Sequence, residues 1–150
     1  MSTLMTYFSA EGTTKGIADA VAKELGLDVF EIIPETPYSK ADITWQNPLS
    51  RCNKEFFGKK DVPVSGKIDN FDNYDTILIG FPIWYGCAPN VINTFCKGYN
   101  FEGKKVVAFA TSGGSPIGKT AEKLTPYVTG AASVEATLIN SADDLKAIIK

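Results

Sequence analysis

The amino-acid sequence predicts a doubly wound α/β domain. Five short, β-prone apolar runs alternate with helix-patterned segments, the mark of parallel strands joined by right-handed helical crossovers. Two of the runs, Thr76–Phe81 (TILIGF) and Lys105–Ala110 (KVVAFA), are nearly continuous in apolar residues, as strands covered on both faces require. No internal repeat, low-complexity tract or linker divides the chain, so residues 1–150 are expected to form one domain. A domain of that length buries about 68–70% of its unfolded surface and needs no disulfide or metal staple.

The first run is Thr3–Phe8. After it, Ile17, Ala18, Val21, Ala22 and Leu25 recur on one helical stripe that stops at Gly26. The second run, Asp28–Ile33, leads into a less regular stretch, Pro34–Asn73, which holds four of the eight prolines and therefore little continuous secondary structure. Within it Asn47 and Pro48 have the character of an N-cap and a first helical position, with Gly58 as the stop, and predict a short helix. Beyond the third run, Val91, Ile92, Phe95, Cys96 and Tyr99 repeat the helical spacing. The fourth run is followed by a small-residue loop and a further helix. The fifth, Ser133–Ile139, precedes Ser141 and Asp144, a capping pair ahead of Leu145, Ile148 and Ile149.

Composition removes whole classes of chemistry. There is no histidine, which eliminates Ser-His-Asp triads, Cys-His dyads and His-ligated metals together. The three cysteines, Cys52, Cys87 and Cys96, are an odd number without C-x-x-C spacing. They form neither a closed disulfide framework nor a four-Cys zinc site within one chain, and they suit a reducing compartment. No metal site is expected, and no side chain stands out as a catalytic acid, base or nucleophile. Fifteen Lys and Arg against 17 Asp and Glu give a net charge of −2, too little positive charge to engage a phosphate backbone, so nucleic acid is not an expected partner. Met1 is followed by no positively charged leader, and no apolar run reaches about 18 residues, so no membrane association is expected and the chain reads as cytoplasmic.

Ligands of open α/β sheets bind beyond the carboxyl ends of the strands, at the switch in strand order. In the order 2-1-3-4-5, strands one, three and four are neighbours, and the loops that follow them converge. After the first strand comes Ser9-Ala10-Glu11-Gly12-Thr13-Thr14, which opens the first helix; hydroxyls, a glycine and free N–H groups there form a phosphate cradle. After the third comes Pro82-Ile83-Trp84-Tyr85-Gly86, with two aromatics on a turn. After the fourth comes Thr111-Ser112-Gly113-Gly114-Ser115, small residues that offer backbone groups to a polar ring edge. A cradle, an aromatic platform and a hydrogen-bonding rim suit a phosphorylated, flat heteroaromatic ligand.

On these residues the sequence resembles the flavodoxin-like family over its whole length, and most closely the short bacterial flavodoxins whose first loop reads Y-F-S-A-x-G-T-T-K, here Tyr7 to Lys15. The resemblance implies the three-layer flavodoxin fold, with FMN as cofactor. It implies that Ser9, Gly12, Thr13 and Thr14 hold the FMN phosphate, that Trp84 stacks on the isoalloxazine, that Gly86 lies near flavin N5, and that Thr111 to Gly114 line the pyrimidine side. It further implies electron transfer to a redox protein or a small-molecule acceptor, by a monomer or homodimer. Three departures stand out. Glu11 replaces a common Thr, so its side chain is expected to point outward while its N–H serves the phosphate. Cys87 replaces a common acid. The Thr111–Ser115 loop carries no aromatic to cover the outer ring face, which is then open, or covered by Trp45 or another group of the Pro34–Asn73 segment.

An open outer face would admit an NAD(P)H-dependent oxidoreductase acting on quinones or similar acceptors. A third reading comes from Gly113 to Thr120, GGSPIGKT, which matches G-x-x-x-x-G-K-[ST] between a strand and a helix as a P-loop does. Pro116 counts against it by removing an N–H from a phosphate-wrapping loop, and little chain remains after it for a metal-binding strand end. Cys96, on the helical stripe, reads as a core thiol, Cys87 as an inert one, and Lys59, Lys60 and Asp61 as a solvated turn.

Overall fold

The computed structural model describes residues 2–9, 12–36, 38–39, 42–43, 46, 49–51, 54–55, 62–83, 88–111, 117–118 and 120–149. Along the chain the strands are β1 (Thr3–Tyr7), β2 (Asp28–Glu31), β3 (Ile33–Pro34), β4 (Val64–Ser65), β5 (Thr76–Pro82), β6 (Lys105–Thr111) and β7 (Ser133–Leu138). Five of them form one parallel sheet in the order β2-β1-β5-β6-β7, which is 2-1-3-4-5 when its strands are counted along the chain. Four helices have described bounds: α1 (Thr13–Leu25), α2 (Asn90–Lys97), α3 (Thr120–Leu124) and α4 (Ala142–Ile149).

Alternation along the central strands sends successive side chains into two cores. Leu4, Ile77, Ile79, Phe81, Val106, Ala108 and Ala110 face α2 and α3, where Val91, Ile92, Phe95, Cys96 and Leu124 meet them. Met5, Tyr7, Leu78, Val107 and Phe109 face α1 and α4, against Ala18, Val21, Ala22 and Leu145. Ile77, Leu78 and Ile79 are each fully buried, a burial that stabilises by about 1.5–3 kcal/mol per side chain. The two apolar runs are continuous because neither face of these strands meets water.

The second run does not stay in one sheet. Asp28–Ile33 was expected as a single strand, but it divides: Ile32 is buried and its N–H still reaches Tyr7 O at 2.7 Å, whereas Ile33 is exposed and pairs antiparallel with Ser65. Pro34 follows and cannot donate to a parallel ladder, so the chain leaves the main sheet there. The α1 stripe also ends sooner than expected. Leu25 is exposed, and after the left-handed Gly26 it is Leu27 that turns in against the core. Of the short helix expected after Asn47 and Pro48, Arg51, Lys54 and Glu55 are helical, while Asn47, Pro48 and Gly58 lie outside the described residues, as do Lys59, Lys60 and Asp61. At α4 the capping pair forms: Ser141 Oγ accepts the Asp144 N–H at 3.2 Å, and the Asp144 carboxylate accepts the Asn140 N–H at 2.9 Å.

The segment between β2 and β5 is tied to α2 by polar contacts. The Val62 N–H donates to Thr94 Oγ1, the Ile68 N–H to the Tyr99 hydroxyl, and Asn90 Nδ2 to the Glu55 carbonyl, at 2.9, 2.9 and 2.7 Å. Arg51 anchors its upstream part: the guanidinium lies 3.9 Å from the Tyr38 ring centroid, pairs with Glu55 at 2.8 Å and donates to the Thr36 carbonyl at 2.7 Å. Tyr38 in turn donates to Glu55 and sets its ring edge against Phe8, the residue that leaves β1.

One glycine of the sheet has no substitute. Gly80 sits between Tyr7 on β1 and Phe109 on β6, and a Cβ there would come within 2.2 Å of the Phe109 ring. Phe109 is fully buried and has no open space to swing into. Gly80→Ala is therefore expected to destabilise the protein by about 1–3 kcal/mol and to lower Tm by roughly 2–12 °C in a thermal melt; an unchanged Tm would mean that Phe109 relaxes freely.

Candidate functional site

The sheet order brings the exits of β1, β5 and β6 side by side, and hydrogen bonds lace them together past the strand ends. The Phe8 N–H reaches Gly80 O at 2.8 Å, and the Ile83 N–H reaches Thr111 O at 2.9 Å. Three loops thus leave one edge from fixed positions.

The first loop turns into α1 through Gly12, whose φ of 93° lies in the left-handed region that favours glycine. A Cβ there would meet nothing within 4 Å, so backbone conformation and not space demands the glycine. Ser9 Oγ accepts the Gly12 N–H at 2.9 Å, which closes the loop and leaves the serine proton available to donate. The first helical bond of the turn runs from Gly16 N–H to Gly12 O at 3.0 Å. The N–H groups of Thr13, Thr14 and Lys15 therefore precede the helical ladder. Among the described residues no side chain caps α1, and its first turn carries no acid. Unpaired donors and the positive end of the helix dipole coincide at this point, which is the electrostatic requirement for binding an anion.

Thr14 differs from its neighbours. It is buried, and its hydroxyl meets that of Thr111, also buried, at 2.8 Å across the gap between α1 and β6. From the β5 exit, Pro82 is half-buried and pairs with Thr111 in the ladder, while the Ile83 side chain enters the core beneath the edge. Ser9, Gly12, Thr13, Thr14, Pro82, Ile83 and Thr111 are thereby assembled at one edge. The other residues expected at the site, Ala10, Glu11, Trp84, Tyr85, Gly86, Ser112, Gly113 and Gly114, lie outside the described residues, as do Trp45, Cys52, Cys87, Ser115, Pro116 and Lys119.

Beside the cradle stands a charged group that sequence reading did not single out. Lys15 donates to the Tyr7 hydroxyl and to Glu31, each at 3.0 Å, and pairs with Asp19 at 3.4 Å. The Lys15–Asp19 spacing of four residues is legible in a helix, but Glu31 and Tyr7 arrive from neighbouring strands and carry no local signal. Hydrogen bonds to Tyr7 and then Glu31 hold the Lys15 ammonium above the usual lysine range, and burial, partly opposed by the Lys15 bond, raises the Tyr7 phenol. Cys96 is fully buried among apolar groups, which pushes its thiol far up and leaves it inert, as a core thiol should be. At the P-loop-like segment, Thr120 is buried and its hydroxyl donates to the Ile117 carbonyl. Among the described residues no cluster of three or more His, Cys, Asp or Glu is placed to hold a metal, and no helix is long and apolar enough to cross a membrane.

A flavodoxin family model matches residues 2–150. The chain belongs to the flavodoxin family. The sheet order and carboxyl-edge site described above are those of a flavodoxin-like fold. A candidate flavoprotein from Bacteroides eggerthii is 38% identical, with coverage of 99% of this chain and 95% of that one and a TM-score of 0.89. A second, from Bacteroides uniformis, is 37% identical over 99% and 97% of the two chains, with a TM-score of 0.86. A flavoprotein from Lactobacillus acidophilus, solved in complex with FMN, covers 99% of each chain at a TM-score of 0.72, and at 23% identity the likeness extends to the fold. No curated protein matches the chain.

The Lys15 network gives this flavodoxin-family protein a defined alkaline response. Lys15 and Tyr7 both hold their protons more tightly folded than unfolded, so their contribution to stability is complete below about pH 10 and is lost as pH rises through the raised values. In ligand-free protein, the Tm difference between the unsubstituted chain and Lys15→Met is expected to stay constant from about pH 6 to 9 and to shrink above about pH 10. A difference that persists unchanged to about pH 11 would contradict the network's role.

Proposed function

We propose that this protein binds FMN without a covalent link and transfers electrons through it. The observation that carries the reading is the uncapped N-terminus of α1, open donors and no acid, at the carboxyl edge where β1, β5 and β6 meet. The donor set fits a single phosphate. The N–H groups of the first turn, the Ser9 proton and the exposed Thr13 hydroxyl are donors, the first turn itself carries no acid, and no G-x-G-x-x-G is present for a pyrophosphate. Membership of the flavodoxin family and the FMN complex of the Lactobacillus acidophilus protein support the choice of cofactor.

In this reading Ser9, Ala10, Glu11, Gly12, Thr13 and Thr14 hold the phosphate, Trp84 and Tyr85 supply the platform, and Gly86 with Thr111, Ser112, Gly113 and Gly114 offers backbone groups to the ring edge. Pro82 and Ile83 brace the second loop. Bound FMN would supply the electron-accepting ring, and the protein's part is to position it and exclude water. The partner is a redox protein or a small-molecule acceptor, met in the cytoplasm by a monomer or homodimer.

The small residues of the Thr111–Ser115 loop favour a second reading, an NAD(P)H-dependent enzyme acting on quinones, because nothing large in that loop keeps a nicotinamide from stacking on the ring. Pro116, which removes an N–H from the loop that would wrap phosphates, argues against the nucleotide reading.

The test is a flavin titration followed by reduction. FMN is expected to bind at least about tenfold more tightly than riboflavin, since charged hydrogen bonds to the phosphate are lost without it. Equal affinities would remove the cradle. Stopped-flow reduction by a ferredoxin-type donor but not by NADPH would assign a carrier, and the reverse would assign the enzyme.

A further inference from the structure

We propose that Thr111 is a positioning residue for phosphate recognition, acting through Thr14; this rests on the FMN reading and adds a part to its site. The observation is the pair of buried hydroxyls 2.8 Å apart, one on the first turn of α1 and one at the end of β6. Each threonine hydroxyl has one proton to give and lone pairs to accept with. The bond between them uses one proton, and either oxygen is able to supply it. A phosphate group changes that symmetry, because a phosphate dianion only accepts.

Thr14 is the second residue of α1, and helical side chains lean toward the N-terminus, here toward the open N–H groups. For Thr14 to donate to a phosphate oxygen, its own oxygen must be the acceptor of the pair and Thr111 the donor. The opposite orientation turns a Thr14 lone pair toward the anion. Phosphate binding thus selects one direction of a short chain, Thr111 O–H to Thr14 Oγ1, then Thr14 O–H to phosphate. Shielded from water, each bond of such a chain polarises the next.

Thr111 is suited to the role because its backbone is held in the sheet. It pairs with Pro82 in the ladder, and its carbonyl holds the Ile83 N–H at 2.9 Å. It also stands on the α1 face of the sheet, two residues from Phe109, so its hydroxyl reaches the phosphate end of the site while the loop after it is free to serve the ring.

The experiment measures FMN and riboflavin affinities, by quenching of flavin fluorescence, for the unsubstituted protein, Thr111→Val, Thr111→Ser, Thr14→Val and the double Thr14→Val/Thr111→Val variant. Thr111→Val, which removes the hydroxyl but leaves the Thr111 backbone at the ring edge, is expected to weaken FMN by about tenfold and riboflavin, which has no phosphate, by no more than about twofold. Thr111→Ser, which keeps the hydroxyl, should restore FMN binding. On a Thr14→Val background, Thr111→Val should cost nothing further, since the relay is already cut. Parallel losses of FMN and riboflavin, unchanged FMN binding, or losses that add in the double variant would each overturn the relay while leaving the FMN reading intact. Equal affinity of the unsubstituted protein for FMN and riboflavin would overturn the FMN reading and the relay with it.

Discussion

A parallel sheet buried on both faces has only its ends to offer a ligand, and this constraint governs the rest of the molecule. Helices on both sides are obligatory, because Met5, Leu78 and Val107 point one way while Leu4, Ile77 and Val106 point the other. The crossovers that bring those helices begin at the carboxyl ends of the strands. A helix that begins there presents its unpaired N–H groups at that edge. The order β2-β1-β5-β6-β7 then decides which loops share the edge: those after β1, β5 and β6. The proposed anion site follows from how the sheet is covered.

The described residues at this edge are tied together by hydrogen bonds. Backbone bonds cross from β1 to β5 and from β6 to the β5 exit past the strand ends, and the Thr14–Thr111 pair closes α1 onto β6. From outside, Arg51, Tyr38 and Glu55 hold the segment after β3 against Phe8 on one side and Asn90 on the other. Phe8 enters the first loop and Asn90 opens the helix behind the second. Lys15, beside that turn, is already engaged by Glu31, Asp19 and Tyr7, so in the proposed site the anion is left to the neutral donors of the turn.

Much of this was legible in the sequence because the strongest signals were local and doubled. TILIGF and KVVAFA announce strands covered on both faces, and the loops after the first, third and fourth runs carry their own chemistry. The capping pair Ser141 and Asp144 was legible for the same reason. What escaped was long-range or depended on one residue's orientation. Ile32 and Ile33 look alike in sequence, yet one is buried under the main sheet and the other turns out to pair with Ser65. Leu25 fits the stripe of α1 and is nonetheless exposed, because the turn at Gly26 lets Leu27 cover the core in its place. The Thr14–Thr111 bond joins residues 97 positions apart, and no spacing rule announces it.

In the proposed complex the phosphate of a bound flavin sits on the first turn of α1. Amide chemical shifts of isotope-labelled protein, recorded as FMN is added, test it at the atoms concerned, because an N–H that begins donating to phosphate moves strongly downfield. The largest downfield shifts are expected at Gly12, Thr13 and Thr14, absent when riboflavin replaces FMN. Shifts of that kind at Ile117, Gly118 and Thr120, with the first turn of α1 unmoved, would contradict it.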